Sequence, residues 1–294
     1  GLFYGMGYLF DKYTEKPTMK IAALCIVSLL SMSYIFITYK QIKIWENSGT
    51  LWTHVLKYYD KTTLPFGNRA NYYRDKKMYK EALADYGSAI ALQPGAQTFN
   101  SRARLYFDTA GNDRATLEKA LNDYNEAIKL SPKDGEFWIN RGATYARLGD
   151  INTALEHIDQ GLKYKPDHSS GYLNRFVLNS QMASTQIQGS PEFIDFSNKA
   201  IRDIETYQKY KPYESDLYYE KGRIKRSLGQ YSEALADINT AIGFNNSKGL
   251  YFYERSIVHS QMNKNAEARA DLSNAINLKY ENIDAAYRQR ILGN

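Results

Sequence analysis

The spacing of small residues along this chain constrains its fold more than any other feature of the sequence. Successive alanines are separated by 38, 34, 46, 34 and 34 residues, so one unit carries twelve more residues than its regular neighbours. Four residues after each alanine comes an apolar or aromatic side chain, which places both on one face of a helix. A fixed period of this length predicts stacked helical hairpins rather than one globular core. The alanines are Ala82, Ala120, Ala154, Ala200, Ala234 and Ala268.

A second helix is predicted ahead of each of these alanines. Its signature is a basic residue, then a small one, then an aromatic three positions further on, as in Arg141, Gly142 and Tyr145. Prolines at positions 94, 132, 166 and 212 mark the ends of units, because proline does not continue a helix. This pattern resembles the tetratricopeptide repeat (TPR). The resemblance covers residues 64–280 as six units. It implies an all-α fold, a TPR α-solenoid of about six helix-turn-helix repeats, with a capping helix at 281–294.

The basic residue of the first helix recurs together with an acidic residue in the second helix. We interpret these residues as ion pairs within each repeat that fix the register of its two helices, because a functional site would not be copied into every repeat. In the third unit His157 stands in place of the acid, so Arg141 is expected to lack its partner. The predicted pairs are Arg69 with Asp85, Arg102 with Asp123, Arg175 with Asp203, Lys221 with Asp237, and Arg255 with Asp271.

An apolar segment near the start of the chain predicts a transmembrane helix at about 21–39. Residues 21–38 are eighteen positions without a charge, bracketed by Lys20 and Lys40. As a helix they span about 27 Å, close to the hydrocarbon thickness of a bilayer. A cleaved signal peptide is the competing interpretation. Its apolar region would be shorter, and the segment lacks a convincing small-residue cleavage site.

The residues before this segment predict its orientation. The chain opens with an apolar stretch at 2–10, interpreted as the end of an earlier membrane helix, and 11–20 is then a short loop. Three lysines in that loop favour the cytoplasmic side under the positive-inside rule, although Lys40 and Lys43 beyond the segment weaken the argument. Residues 1–45 would therefore be the membrane segment, 46–63 a connecting helix, and the repeats would lie outside the cytoplasm, in a periplasm or lumen.

A further resemblance lies at the junction with the repeats. The stretch Gly1-Leu2-Phe3-Tyr4, a short basic loop, one membrane helix and the segment 45–52 (Trp-Glu-Asn-Ser-Gly-Thr-Leu-Trp) precede the repeats. This order is similar to the C-terminal part of the transmembrane-and-TPR O-mannosyltransferases. The resemblance implies a polyprenol-phosphate-sugar transferase whose repeats are non-catalytic. The family's acidic catalytic loop belongs near the start of its membrane domain, so no residue here inherits a catalytic role.

The chain itself carries no recognisable catalytic or cofactor motif. Its four histidines, at 54, 157, 168 and 259, have no metal-ligand spacing with one another or with the single cysteine. A nucleotide-binding glycine loop and a nucleophile elbow are both missing from the sequence. A formal charge of +6 comes from basic residues interspersed with acidic ones, which does not favour nucleic-acid binding. We therefore expect no catalytic residue, cofactor, metal or nucleic-acid partner in these 294 residues.

Repeat geometry predicts where a partner would bind. The first helix of each unit lines the inner surface of such arrays, so the positions beside its packing residues face a groove. Arginine and asparagine there suit an extended peptide with acidic side chains or a free carboxylate. The alternative is an ordinary solvated helix face. The candidate groove residues are Asn71, Arg74, Asn100, Arg104, Arg147, Tyr219, Arg223, Arg226 and Tyr253.

The twelve extra residues fall at about 182–196, between the two helices of the fourth unit, and are expected to form a loop at one edge of the array.

Together these patterns predict a membrane-anchored TPR module that binds a protein or an extended peptide, with acidic character favoured. The alternative is the non-catalytic end of a glycosyltransferase whose repeats recruit acceptor protein. Cytoplasmic co-chaperone docking, a third possibility, requires the opposite membrane orientation.

Overall fold

The computed structural model describes residues 8, 12 and 17–293 of the chain. The predicted apolar helix at 2–10 and most of the loop at 11–20 lie outside these residues. Over 17–293 the chain forms fifteen helices and no strand, which confirms the all-α prediction. The helices are α1 (Pro17–Ile44), α2 (Ser48–Leu56), α3 (Thr63–Asp75), α4 (Tyr79–Leu92), α5 (Ala96–Thr109), α6 (Arg114–Leu130), α7 (Gly135–Arg147), α8 (Ile151–Tyr164), α9 (Ser169–Ser184), α10 (Pro191–Gln208), α11 (Ser215–Ser227), α12 (Tyr231–Phe244), α13 (Gly249–Gln261), α14 (Asn265–Asn277) and α15 (Ala285–Leu292).

Helix α1 is an apolar helix of 28 residues with no buried residue. It is long and apolar enough to cross a membrane, and it exceeds the predicted segment at both ends. Its polar side chains do not interrupt it. Ser33, for example, donates its hydroxyl to the carbonyl oxygens of Leu29 (3.2 Å) and Leu30 (3.0 Å) within the helix. The polar group is thus satisfied without water, as an apolar environment requires.

Helix α2 begins directly after α1 because Asn47 caps it. The Asn47 side chain accepts the backbone N–H of Thr50 at 3.0 Å, and the Thr50 hydroxyl accepts the Asn47 N–H at 3.2 Å. This reciprocal capping box satisfies two backbone donors that a helix start leaves free. The sequence between the two tryptophans of segment 45–52 is therefore a helix-start signal.

The described chain divides into two compact units, one ending at Leu105 and the other beginning at Tyr106. In the first unit α3 and α4 form a hairpin around buried Ala70, Ala82 and Tyr86. The second unit contains four further hairpins, α7 with α8, α9 with α10, α11 with α12, and α13 with α14. All six period-marking alanines have 0% exposure. This confirms that the small residues lie in the core of the repeats.

Close helix packing explains why those positions are small. A Cβ atom added to Gly222 on α11 would lie 2.7 Å from the Cγ1 of Ile238 and 3.0 Å from the carbonyl oxygen of Ala234, both on α12. Real Cβ atoms do not approach other atoms that closely, so the glycine permits the contact. The same arrangement recurs at Gly142 between α7 and α8.

The prediction of an edge loop for the twelve extra residues is largely wrong. Helix α9 extends to Ser184 and α10 starts at Pro191, so the connection is 185–190 and most of the insertion is helical. Ser190 caps α10 by accepting the backbone N–H of Phe193 at 3.1 Å, and Pro191 occupies the first turn. These are strong helix-start signals. The sequence therefore lengthens two helices instead of forming a long loop.

The last helix covers the final hairpin. Tyr287 and Ile291 of α15 are buried against Ala268 and Leu272 of α14. The Tyr287 hydroxyl lies 2.7 Å from that of Ser256, so its polar end is also satisfied inside the contact. Helix α15 thus buries the apolar face that the last repeat would otherwise expose.

Candidate functional site

The predicted groove residues of the first unit divide between surface and core. Asn71 and Arg74 lie on α3, where Asn71 accepts the Tyr86 hydroxyl at 2.6 Å and Arg74 bonds to the neighbouring Asp75 at 3.0 Å. Arg104 is exposed on α5. Asn100 is 0% exposed, so its prediction as a groove residue is wrong. Its position on the first helix of a repeat turns it toward the core instead of the solvent.

Three of the predicted groove residues, Asn71, Arg74 and Arg104, interact with the hydroxyl of Tyr86. Burial raises the pKa of Tyr86, and the positive charges of Arg74 and Arg104 oppose that rise. Both guanidinium groups therefore lie close enough to act on the hydroxyl that Asn71 accepts. The charge of Asp75 raises the pKa of Tyr86 as well, so the charged groups around this hydroxyl are of both signs.

In the second unit Arg147 is engaged locally. Its guanidinium lies 4.9 Å from the centre of the Phe107 ring and donates to the Phe107 carbonyl oxygen at 2.7 Å. The side chain stays exposed. It can still offer donors to a ligand, because a guanidinium carries five N–H groups.

The two predicted groove tyrosines are packing residues. Tyr219 is 8% exposed and stacks on Tyr251 with ring centres 5.3 Å apart. Tyr253 contacts the rings of Tyr280 and Tyr287 at 5.4 and 5.8 Å. In each case the ring packs against an aromatic residue of a later segment, which a pattern within one repeat does not reveal. Their prediction as ligand-facing aromatic surface is therefore wrong for Tyr219 and is weakened for Tyr253.

The remaining predicted residues form a charged face on α11 and α13. Arg223 binds Glu220 at 2.7 Å, one turn earlier on α11, with side chains 46% and 31% exposed. Arg226 pairs with Glu254 of α13, whose side chain is only 5% exposed. Burial raises the pKa of Tyr219, and the charges of Glu254 and Glu220 raise it further while Arg223 opposes them. We call Glu220, Arg223, Arg226 and Glu254 the α11–α13 face.

Sequence reasoning missed both acidic members of this face. Glu254 lies 28 residues after Arg226, whereas the pairs inside repeats of regular length, such as Arg69 with Asp85, are 16 residues apart. The contact joins equivalent helices of successive repeats. In the sequence Glu254 directly precedes Arg255, the basic residue that pairs with Asp271 in its own repeat. Only the stacking of successive repeats places Glu254 opposite Arg226.

The ion pairs within repeats are structural. Four predicted pairs form, namely Arg69 with Asp85 (2.7 Å), Arg175 with Asp203 (2.6 Å), Lys221 with Asp237 (3.0 Å) and Arg255 with Asp271 (2.6 Å). Each acid is almost fully buried where the two helices of a hairpin meet. Such a pair fixes the register of the helices, because shifting either helix would leave a buried charge alone.

Arg141 has partners, contrary to the expectation that it would lack one. It donates to the Asn125 side chain at 2.9 Å and to Nε2 of His157 at 3.1 Å, and it lies 4.5 Å above the Trp138 ring. Burial, followed by the Arg141 charge, lowers the pKa of His157 to about 4. A neutral imidazole is thus able to accept a hydrogen bond in place of the carboxylate.

Metal binding has no support among the described residues, which contain no group of three His, Cys, Asp or Glu side chains placed to hold an ion.

Comparisons with known proteins identify the repeats. A family model described as "TPR repeat" matches residues 116–149, and the "Tetratricopeptide repeat" model matches 135–168 and 215–248. The last two ranges coincide with the hairpins of α7 with α8 and of α11 with α12. Family models thus recognise the same units that the helix pairing defines.

Curated relatives share parts of the repeat array. Hsp70-Hsp90 organizing protein of Triticum aestivum is 28% identical over 42% of this chain and 19% of its own length. Small glutamine-rich tetratricopeptide repeat-containing protein 2 of Saccharomyces cerevisiae is 27% identical over 38% of this chain and 30% of its own length. The chain spans less than a third of either relative. Neither of them is named as a glycosyltransferase.

Solved structures show the same fold. A tetratricopeptide repeat protein from Parabacteroides merdae matches 90% of this chain and 96% of its own, with a TM-score of 0.51 and 18% identity. YrrB, described as a TPR protein with an unusual peptide-binding site, matches 66% of this chain and 92% of its own, with a TM-score of 0.50 and 16% identity. The family matches show that the chain contains tetratricopeptide repeats, and the helical hairpins and these solved structures agree with a tetratricopeptide-repeat fold.

Proposed function

We propose that this chain is a membrane-anchored TPR module that binds an extended peptide on the α11–α13 face. The observation that carries the proposal is the arrangement of two arginines beside two glutamates on equivalent helices of successive repeats. The names of the similar proteins, one organising Hsp70 and Hsp90 and one with a peptide-binding site, support a protein or peptide partner.

The two ion pairs of this face have different roles. Glu254 is nearly buried, so its pair with Arg226 is costly to break and holds the two helices together. Arg223 and Glu220 are both accessible to water, and an exposed pair contributes little stability. A carboxylate of the peptide can therefore replace Glu220 as the partner of Arg223, leaving Glu220 in solvent. This exchange favours an acidic side chain or a free C-terminus in the ligand.

A matched pair of charge reversals tests this site. The full chain in detergent is used to select a peptide from a displayed library, and the peptide is then titrated against each variant. We expect Arg223→Glu to weaken binding by about tenfold or more, because it removes a charge-assisted hydrogen bond and adds repulsion. The control is Arg202→Glu, the same charge change on exposed Arg202 of α10. Equal affinities for both variants would overturn the proposed site.

The membrane part of the proposal is carried by α1. Its 28 residues would reach about 42 Å, beyond the hydrocarbon thickness of about 30 Å. We propose that it anchors the repeats on the extracytoplasmic side. Resistance to alkaline carbonate extraction tests the anchor. Alkaline phosphatase fused after residue 294 tests the side, since the reporter is active only outside the cytoplasm. A soluble chain, or an inactive but expressed fusion, contradicts the respective claim.

A glycosyltransferase portion is the second candidate function. It is favoured by the order of α1, the capped start of α2 and the repeats, which resembles the end of membrane O-mannosyltransferases. In that case the α11–α13 face would hold acceptor polypeptide for an active site elsewhere in the protein. The gene sequence upstream of residue 1 tests it: several membrane helices with an acidic extracytoplasmic loop would support this candidate, and their absence would eliminate it.

A further inference from the structure

A cavity of about 460 Å³ opens in the first unit where α1 ends. Its wall combines the last turn of α1, the capped start and outer side of α2, and the end of α3. The polar groups that line it include Lys43, Thr53, His54, Lys57 and Tyr72. No carboxylate lines it among the described residues, so the lining carries net positive charge.

The cationic side chains of this cavity are available to a ligand. Lys57 is exposed and forms no ion pair among the described residues. Lys43 binds Glu46 at 3.3 Å, but both side chains are 55% exposed, so water competes for that pair. The Thr53 hydroxyl and the phenol of Tyr72 add neutral donors. Two ammonium groups with hydroxyls around them match the oxygens of a phosphate.

The position of Lys43 along α1 fixes the level of the cavity relative to the bilayer. Lys43 lies five residues beyond the uncharged segment that ends at Thr38, which is about 7 Å along a helix. The headgroup layer on each side of a bilayer is about 5–7 Å thick. With the apolar segment in the hydrocarbon core, the cavity therefore opens at the level of the lipid phosphates.

Aromatic residues around the end of α1 agree with that depth. Tyr39, Trp45, Tyr58 and Tyr59 are all exposed by 58% or more although they are large and partly apolar. Tyrosine and tryptophan with an apolar body and a polar end are enriched at the membrane–water boundary. Tyr39 lies on α1 and Trp45 directly follows it, whereas Tyr58 and Tyr59 follow α2.

From these observations we infer that the cavity binds the phosphate of a phospholipid headgroup, with Lys43 and Lys57 as its cationic ligands. The inference rests on the proposed membrane insertion of α1. The occupant is a lipid and not free phosphate, because the cavity adjoins an exposed apolar helix at headgroup depth. Lipid acyl chains can lie along α1 while the headgroup enters the cavity.

The experiment measures binding of dihexanoyl phosphatidylglycerol to the full chain in neutral detergent by native mass spectrometry. Lys43→Gln with Lys57→Gln is the test variant. Lys40→Gln with Lys61→Gln is the matched control, since it removes the same charge from lysines that do not line the cavity. At about 1 kcal/mol for each lysine near a lipid phosphate, the test variant is expected to bind about 30-fold more weakly. The control is expected to bind like the native chain.

Two results would overturn the inference. One is equal weakening of both double variants, which would show unspecific charge attraction. The other is equally tight binding of inorganic phosphate, which would assign the cavity to a free anion. Carbonate extraction of the same variants separates this inference from the membrane proposal. If α1 stays in the membrane while the lipid affinities do not differ, only the headgroup site fails. If the chain is extracted, the membrane proposal fails first.

Discussion

We expect His157 to make the third repeat of this protein sensitive to acid, because its counterparts in the other repeats are carboxylates. Arg141 donates to Nε2 of His157 at 3.1 Å, so the ring must be neutral with its proton on Nδ1. Protonation of Nε2 would remove the acceptor and place two positive charges side by side. Acid therefore breaks the link between α7 and α8, which in other hairpins an ion pair maintains.

The size of this effect follows from the pKa of His157, which burial and then Arg141 lower from 6.5 to about 4. The unfolded chain binds this proton below its pKa of 6.5, and the folded chain binds it only below about 4, so stability falls as pH falls through this window. A pKa shift of this size changes the free energy of unfolding by at most about 3 kcal/mol. Because the ring is partly open to solvent, which screens Arg141, we expect a loss of about 1–2 kcal/mol.

His157→Gln isolates this contribution, because glutamine can accept the Arg141 hydrogen bond but does not titrate. Urea unfolding of both proteins is measured across the window, and the difference cancels the other titrating groups. We expect similar stability near neutral pH, and the variant to be more stable by about 1 kcal/mol at about pH 4.5. Replacing Trp45 and Trp52 with Phe leaves Trp138, 5.6 Å from His157, as the only tryptophan, so selective tryptophan excitation reports the protonation of His157.

Parallel stability profiles for the native chain and His157→Gln would refute this reasoning. They would mean that His157 titrates alike in the folded and unfolded chains, so that burial beside Arg141 has no energetic consequence. A Trp138 fluorescence transition near the ordinary pKa of histidine would lead to the same conclusion.

Three further predictions concern packing and turns. Arg175→Met leaves the carboxylate of Asp203, 2% exposed, without its main partner, and should cost about 3 kcal/mol in urea unfolding, most of it recovered by adding Asp203→Leu. Gly222→Leu forces a side chain into the 2.7 Å approach of Ile238 and should cost about 3 kcal/mol; an unchanged melting temperature would contradict the close packing. Lys77→Gly relieves a positive φ of 60° and should raise stability by about 0.5–1 kcal/mol, measured by the same unfolding assay.

The repeat period was sufficient to predict the hairpins because it reports contacts inside each one. Ala154 and Ile158, for instance, recur at helical spacing because they face the partner helix of their own repeat, where both are 0% exposed. The pairing of Arg175 with Asp203 was predictable for the same reason. Local geometry, repeated with fixed register, is visible in a single sequence.

Contacts between repeats were not predictable in this way. Tyr219 was expected on an open groove, but the next repeat supplies Tyr251 to cover it. Glu254 was overlooked because its partner Arg226 belongs to the preceding repeat. Stacking brings these residues together, and the sequence period alone does not specify which positions the neighbouring repeat covers.

Hydrogen exchange of the full chain with and without a selected peptide tests the central claim most directly, because it locates the ligand without any substitution. Binding on the α11–α13 face predicts slowed exchange at backbone amides of α11 and α13, with little change in the outer helices α12 and α14. Protection confined to α12 and α14, or to helices outside the second unit, would contradict the claim that the α11–α13 face is the peptide site.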